Sequence, residues 1–148
     1  MATFYLPENQ RALIGNLFGA EKPFSTMYDV AIFAAMVAID SDRFDPLESD
    51  ERGQEIADRI FIQNDRHGLI YMLALAHENS SAVLSDERGD DIWRIFEGYA
   101  KAGLGIIEGW LQDNPVDVGD KTLIAKITEK AKLINKKTAA AQPVEIDF

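Results

Sequence analysis

The sequence predicts a mainly α-helical domain, a compact bundle of five or six helices around a buried apolar central helix, with at most a short two-stranded β ribbon. Three observations support this fold class. Residues 27–39 are almost uniformly apolar, with eleven of the thirteen side chains hydrophobic. Residues 90–112 place apolar side chains at steps of three and four, the period of one helix face. Only two short stretches, 3–6 and 59–63, resemble strands.

The central helix is predicted over residues 27–39. A helix that is apolar on every face lies inside a protein, and this one is shorter than the about 20 residues that span a bilayer. Thr26, followed three residues later by Asp29, fits a capping box at its start, and Ser25 is the alternative cap. We therefore expect the helix to begin at Met27 and to occupy the centre of the core.

The other elements follow from apolar periodicity and from turn residues. The remaining helices are predicted over 8–18, 69–76, 90–112 and 120–136. The last of these carries an apolar stripe of Leu123, Ile124, Ile127, Ala131 and Ile134. The two strand-like stretches are expected to pair with each other and to lean on helices, because an isolated ribbon is only marginally stable. Residues 1–137 are predicted to form a single helical domain and residues 138–148 a C-terminal tail.

Four glycines lie within residues 98–109, inside the longest predicted helix. Each glycine costs a helix interior about 1 kcal/mol relative to alanine. Close packing against the alanine-rich central helix is the simplest explanation. A break near residues 103–105 that forms a binding groove is the alternative. The same close packing would also serve a homodimer.

The charge of the chain is strongly negative but uneven. The formal net charge is −10 and the isoelectric point is near 4.6. Residues 1–117 carry 9 basic and 21 acidic side chains, whereas residues 118–148 carry six lysines and four acidic side chains. Phosphate neutralisation needs clustered Lys and Arg, so the composition excludes nucleic-acid binding by the surface as a whole. The absence of cysteine removes disulfides and thiolate chemistry.

No residue pattern predicts catalysis, a cofactor or a metal. His67 and His77 lie ten residues apart, whereas paired helical metal ligands lie four apart. The acidic connector at 40–58 lacks the glycine and the ligand spacing of a calcium loop, so a solvated loop is favoured. The carboxylates at 86–87 and 90–91 are explained by the dipole of the helix that follows them. We therefore expect a protein that is not an enzyme.

The N-terminal residues form neither a basic nor an apolar leader, which predicts a cytoplasmic location without membrane association.

Three segments resemble one known family. They read FSTMYDVAIFAA at 24–35, LIYMLALA at 69–76 and IFEGYAKAGLGII at 95–107. In that order they are similar to the Dnd (DNA phosphorothioation) system-associated protein 4 family. Its pattern is a Phe-x-Thr-x-x-Asp helix ending in Phe-Ala-Ala, a Leu-Leu-Ala-Leu-Ala-like helix, and Phe-Glu-x-Tyr-Ala-x-x-Gly-Leu. The resemblance implies a role beside DNA sulphur modification and phage restriction, and it implies no catalytic residue.

The resulting functional hypothesis is a non-enzymatic accessory or regulatory protein of a bacterial DNA-phosphorothioation and phage-restriction system, acting through protein–protein contacts. Other proteins of the same defence cluster are the expected partners, because an acidic body suits basic partners. The candidate contact residues lie in the acidic connector and in the last helix: Asp42, Asp45, Glu48, Asp50, Glu51, Lys130, Lys136 and Lys137.

Two alternatives stay open at this point. The first is an acidic DNA mimic that occupies the DNA site of a nuclease or repressor, which would require rows of carboxylates on one face. The second is direct DNA binding by the lysines of the last helix: Lys121, Lys126, Lys130, Lys132, Lys136 and Lys137. For these lysines a solvated helix face is favoured over a DNA interface.

Overall fold

The computed structural model of the protein describes residues 2–113 and 120–140, and the side chains of residues 2–113 and 121–136. It confirms a mainly α-helical fold with one short antiparallel pair of strands. In chain order the elements are β1 (Thr3–Pro7), α1 (Arg11–Leu17), α2 (Met27–Asp40), β2 (Arg52–Ala57), α3 (Asp58–Gln63), α4 (His67–Glu78), α5 (Gly89–Gln112) and α6 (Asp120–Ala140). Short 3₁₀ turns lie at Glu8–Gln10, Ser49–Glu51, Ser81–Leu84 and Asp86–Arg88.

Helix α2 is the central helix and begins where the sequence predicts. Thr26 is its N-cap, and the Thr26 hydroxyl accepts a hydrogen bond from the backbone N–H of Asp29 at 3.3 Å. The buried residues of α2 are Val30, Ala31, Ala34, Ala35, Val37 and Ala38. Met36 and Ile39 are exposed. The helix is thus apolar on every face but is not buried on every face.

Helix α5 packs along α2 and is continuous over its 24 residues, so the predicted alternative of a break near residues 103–105 is wrong. A Cβ added at Gly103 would lie 2.9 Å from the Cα of Ala34 and closer still to its carbonyl group. Close packing therefore explains Gly103. It does not explain Gly105 or Gly109, where an added Cβ would have no neighbour within 4 Å.

The position predicted for the second strand is wrong. Residues 59–63 belong to helix α3, and the strand that pairs with β1 is β2, inside the stretch predicted as an acidic loop. The strands are antiparallel, with Phe4 opposite Ile56 and a bulge between Tyr5 and Pro7. The ladder ends at Asp58, whose carboxylate accepts from the backbone N–H of Ala2 at 3.0 Å. The chain then turns into α3, because burial of Phe61 outweighs the strand propensity of its isoleucine neighbours.

An aromatic cluster joins the sheet to the helices. The ring of Phe4 stacks on that of Phe96 with centroids 4.4 Å apart, and the ring of Phe61 meets both edge-on at 5.6 and 5.5 Å. The indole of Trp93 lies 5.4 Å from the Phe61 ring. These rings come from β1, α3 and α5, so the short sheet leans on the helices as expected.

Helix α6 extends to Ala140, past the end predicted at residue 136. Of its predicted apolar stripe, Leu123 is buried, whereas Ile124 and Ile127 are 63% and 49% exposed. The stripe therefore contributes to the core only near its beginning. Residues 141–148 of the predicted tail lie outside the described residues. In the described part of the chain, no helix combines the length and the hydropathy that crossing a bilayer requires.

Candidate functional site: the acidic loop on helix α5

The acidic loop, residues 41–51, leaves the end of α2 and crosses the surface of α5. Asp42 adopts a left-handed backbone conformation with φ 52°, which turns the chain back toward the helix pair. The backbone N–H of Asp45 donates to the carbonyl of Gly98 on α5 at 3.2 Å. The Phe44 ring lies on the bare backbone of Gly98, with its Cδ2 2.9 Å from where a Cβ would stand. The glycine therefore lets this loop approach α5 closely.

Lys101 on α5 holds the second half of the loop. Its ammonium group lies 3.3 Å from a carboxylate oxygen of Asp45 and 2.9 Å from one of Glu51, and its side chain is only 15% exposed. Glu51 also accepts a hydrogen bond from the backbone N–H of Glu48 at 3.0 Å. The hydrogen bond from Lys101, and then that from Glu48, lowers the pKa of the Glu51 carboxyl. Burial acts to lower the pKa of Lys101, but its hydrogen bonds to Glu51 and Asp45 raise it above its usual value.

The predicted acidic contact residues fall into two groups in this loop. Asp45 and Glu51 are engaged by Lys101. Asp42, Glu48 and Asp50 are exposed. Exposure does not divide them in the same way, because the Asp45 side chain is 60% exposed and the Glu48 side chain accepts a hydrogen bond from the backbone N–H of Glu51 in a capping box.

A pocket of about 580 Å³ opens beside the first half of the loop. Its lining joins the loop to α5 and to the 3₁₀ turn after β1, with Asn9, Gln10, Asp42, Arg43, Lys101 and Ile106 among the residues. Next to it, the Tyr99 hydroxyl and His77 Nδ1 share a hydrogen bond of 2.8 Å. Burial, and then the charge of Asp42, raises the pKa of Tyr99. His77 thus has an aromatic and hydrogen-bonding role, since its ring also lies 4.5 Å from that of Phe44.

A second acidic region lies at the start of α5 and was not predicted as a site. It is a pocket of about 760 Å³ lined by Asp58, Asp86, Glu87, Asp90 and Asp91 together with Tyr71 and Trp93. Asp91 is paired with Arg88 at 2.7 Å. The sequence explains the carboxylates near α5 as dipole partners, but Asp58 comes from α3. Only the tertiary fold shows that these groups surround one pocket.

A second feature that the sequence patterns did not predict is a buried carboxylate, Glu97 on α5. Its side chain is 1% exposed, accepts from the backbone N–H of Tyr5 at 2.7 Å and lies 3.3 Å from the guanidinium of Arg94. Burial raises the pKa of this carboxyl, while Tyr5, Arg94 and Arg52 act in the opposite direction. Arg94 also donates to the carbonyl of Thr3. The available signal was the position of Glu97 four residues after Trp93, on the apolar face of α5.

This group of polar residues has a structural role at the junction of the sheet and α5. The guanidinium carbons of Arg52 and Arg94 lie 4.7 and 5.6 Å from the centroid of the Tyr5 ring. Stacking of cations on an aromatic ring and a buried hydrogen-bonded carboxylate both restrict how β1 sits on α5. Arg94 and Glu97 therefore secure the strand rather than face a pocket.

Among the predicted lysine contacts on α6, Lys130 reaches the residue that immediately precedes the acidic loop. Lys130 is paired with Asp40 at the end of α2, and Lys126 lies 3.9 Å from a carboxylate oxygen of Glu129. Lys136 is exposed, and the side chain of Lys137 lies outside the described residues. Pairing with Asp40 and Glu129 reduces the positive charge that α6 would offer to a phosphate backbone.

Among the side chains that the structure describes, no three or more acidic or histidine groups are arranged to hold a metal ion. His67 packs edge-on against Tyr71, with ring centroids 5.6 Å apart, and His77 is the partner of Tyr99. Both described histidines are therefore in aromatic surroundings.

These features define a small, mainly α-helical acidic protein in which a lysine of the longest described helix pairs with two carboxylates of the acidic loop. The chain belongs to the family described as DNA sulphur modification system-associated protein 4, whose model matches residues 4–143. The match includes every described helix, β2 and all but the first residue of β1, and it confirms the resemblance seen in the three sequence segments. No curated protein and no solved structure matches the chain.

Proposed function

We propose that the protein is a non-enzymatic accessory or regulatory component of a DNA-phosphorothioation and phage-restriction system, and that it acts in the cytoplasm by binding a basic protein partner with its acidic loop. Membership of the family supports the link to DNA sulphur modification. The acidic loop supports the mode of action. Exposed Asp42, Glu48 and Asp50 are the groups that would meet the partner.

The observation that carries this proposal is the anchoring of the loop by Lys101 and Gly98. Ion pairs from Lys101 to Asp45 and Glu51, and the packing of Phe44 on Gly98, hold the loop before any partner arrives. A preorganised loop loses less conformational entropy when it binds. Its exposed carboxylates attract a basic surface and set the orientation of the encounter.

The test is an affinity pull-down from the native host at low salt, with and without nuclease treatment. We expect other proteins of the DNA sulphur modification system to be recovered in both conditions. Triple neutralisation of the loop (Asp42→Asn, Glu48→Gln, Asp50→Asn) should greatly reduce this recovery. The matched control makes the same charge change in the second acidic region (Asp86→Asn, Glu87→Gln, Asp90→Asn) and should retain the partner.

Each other outcome has a defined meaning. Recovery that is lost on nuclease treatment would show that DNA bridges the contact. This result would contradict the proposal and would make the lysines of α6 the candidate DNA-binding residues. Equal loss with both triple variants would show that overall acidity, not the loop, attracts the partner. Capture of a nuclease or repressor that DNA displaces competitively would instead identify a DNA mimic.

A further inference from the structure

One face of α5 leaves space for a ligand beside the acidic loop. Lys101, Ala102, Gly105 and Ile106 line the pocket of about 580 Å³ that opens there, here called the loop pocket. Their spacing along the chain places them on one side of two successive helical turns. A Cβ added at Gly105 would meet no atom within 4 Å. The missing side chain at this position therefore helps to keep the pocket open.

The wall of the loop pocket contains hydrogen-bond acceptors. Asp42 is exposed, and the Asp45 side chain remains 60% exposed although it pairs with Lys101. The Oε1 atom of Gln10 is buried and has no hydrogen-bond partner among the described residues. A buried acceptor without a donor is unfavourable, and the terminal torsion of a glutamine side chain rotates easily. An N–H group bound in the pocket could therefore satisfy the Gln10 amide after a small rotation.

The two cations in the lining do not balance these acceptors. The Lys101 ammonium group is already engaged, because it pairs with Asp45 and Glu51 and donates to the carbonyl of Pro46 at 3.4 Å. Arg43 is exposed. Residues 41–51 carry five carboxylates and this single arginine. The charge around the pocket is therefore negative even when Lys101 is counted.

We infer that the loop pocket receives the guanidinium group of an arginine side chain from the basic partner. An arginine offers five N–H donors and no acceptor, which matches the carboxylates of Asp42 and Asp45 and the Gln10 amide. Ala102 and Ile106 provide an apolar wall for its aliphatic stem. The inference rests on the proposed function for the source of the arginine, whereas the pocket itself can be tested with a small probe.

The test is a titration of the ¹⁵N-labelled full chain with the peptide acetyl-Gly-Arg-Gly-amide at low salt, followed by the NMR signals of the backbone amides. We expect saturable shifts at Asp42, Ala102 and Gly105. The same peptide with citrulline, an uncharged isostere of arginine, should bind more weakly by about tenfold or more, because its hydrogen bonds are no longer assisted by charge.

Two glycines of α5 provide a matched pair of variants. Gly105→Leu places a side chain in the loop pocket and should abolish the saturable shifts. Gly109→Leu, about one turn further along the helix, is the control, because a Cβ there also has no neighbour within 4 Å but the residue does not line the pocket. Asp42→Asn leaves the helix unaltered and should weaken binding. Circular dichroism of each variant checks that the fold is retained.

Arg43→Gln determines the sign of the charge that the pocket prefers. Removal of this lining cation should strengthen binding of the arginine peptide, whereas it would weaken binding of an anion. Acetyl-Gly-Glu-Gly-amide is the anionic probe. Absence of saturable shifts in the native chain, equal binding of the citrulline peptide, tighter binding of the glutamate peptide, or retained binding by Gly105→Leu would each overturn the inference.

The pull-down separates this inference from the proposed function, because Gly105→Leu leaves every carboxylate of the acidic loop in place. We expect Gly105→Leu to reduce recovery of the partner. Recovery that falls with the triple loop variant but not with Gly105→Leu would overturn the inference and leave the proposed function standing. Binding of the arginine peptide by a native chain that captures no partner would support the pocket and contradict the proposed function.

Discussion

Gly103 on α5 lies directly against the backbone of Ala34 on α2, and this contact sets how closely the two longest core helices approach. A Cβ at position 103 would lie 2.9 Å from the Ala34 Cα, whereas one at Gly105, two residues further on, would have no neighbour within 4 Å. The same substitution should therefore have opposite effects at these two glycines.

We expect Gly103→Ala to lower the free energy of unfolding by about 2 kcal/mol, because the strain of overpacking at a backbone contact exceeds the gain in helix propensity. Gly105→Ala is the control and should raise it by about 0.5–1 kcal/mol. Urea denaturation followed by circular dichroism measures both. Equal stabilisation by the two alanines would show that α2 and α5 are not in close contact.

Thr26 and Ser25 provide a second paired prediction. The Thr26 hydroxyl accepts from the backbone N–H of Asp29, and its loss leaves a helix N–H without that partner. Thr26→Ala should therefore cost about 1 kcal/mol of stability, as is typical of an N-cap. Ser25→Ala should have little effect, since Ser25 precedes the cap. The midpoint of urea unfolding measures the stability of both variants. A larger loss of stability in Ser25→Ala than in Thr26→Ala would show that Ser25 is the N-cap.

Lys101 should govern the order of the acidic loop more than the stability of the core. Lys101→Met removes both ion pairs to Asp45 and Glu51 and leaves two carboxylates facing an apolar side chain. Hydrogen exchange at the Asp45 amide, which donates to the Gly98 carbonyl, should become faster. Arg11→Met, which removes an exposed ion pair to Glu8, is the control and should leave exchange in the loop unchanged. Unchanged exchange in Lys101→Met would mean that Phe44 alone anchors the loop.

Glu97 should make stability fall with rising pH. Its pKa in the folded protein is raised above the usual value of 4.5, so between these two pKa values the folded state holds a proton that the unfolded state has released. Stability from this residue is therefore full below pH about 4.5 and is lost as the pH rises through the folded pKa, by up to about 1.4 kcal/mol per pH unit. The difference in unfolding free energy between the native chain and Glu97→Gln isolates this effect from other carboxyls. A difference that rises with pH in this window would contradict the assignment.

Much of the site could not be predicted from local sequence. Asp42, Glu48 and Asp50 were identified because a dense run of carboxylates is visible in the sequence. The role of Lys101 in holding the acidic loop was not predicted, because its partners lie about fifty residues away along the chain. Glu97 was missed for the same reason, since its hydrogen-bond partner Tyr5 is 92 residues distant.

The sequence by itself determined the helical class, the start of α2 at Met27 and the bounds of α5 to within one residue, because hydrophobic periodicity and capping depend on residues within a few positions of one another. Tertiary structure alone decided that residues 52–57 form the strand and residues 58–63 a helix. Pairing with β1 and burial of Phe61 between Phe4 and Phe96 are long-range contacts that override local propensity. Long-range contacts likewise decided which carboxylates of the acidic loop pair with Lys101.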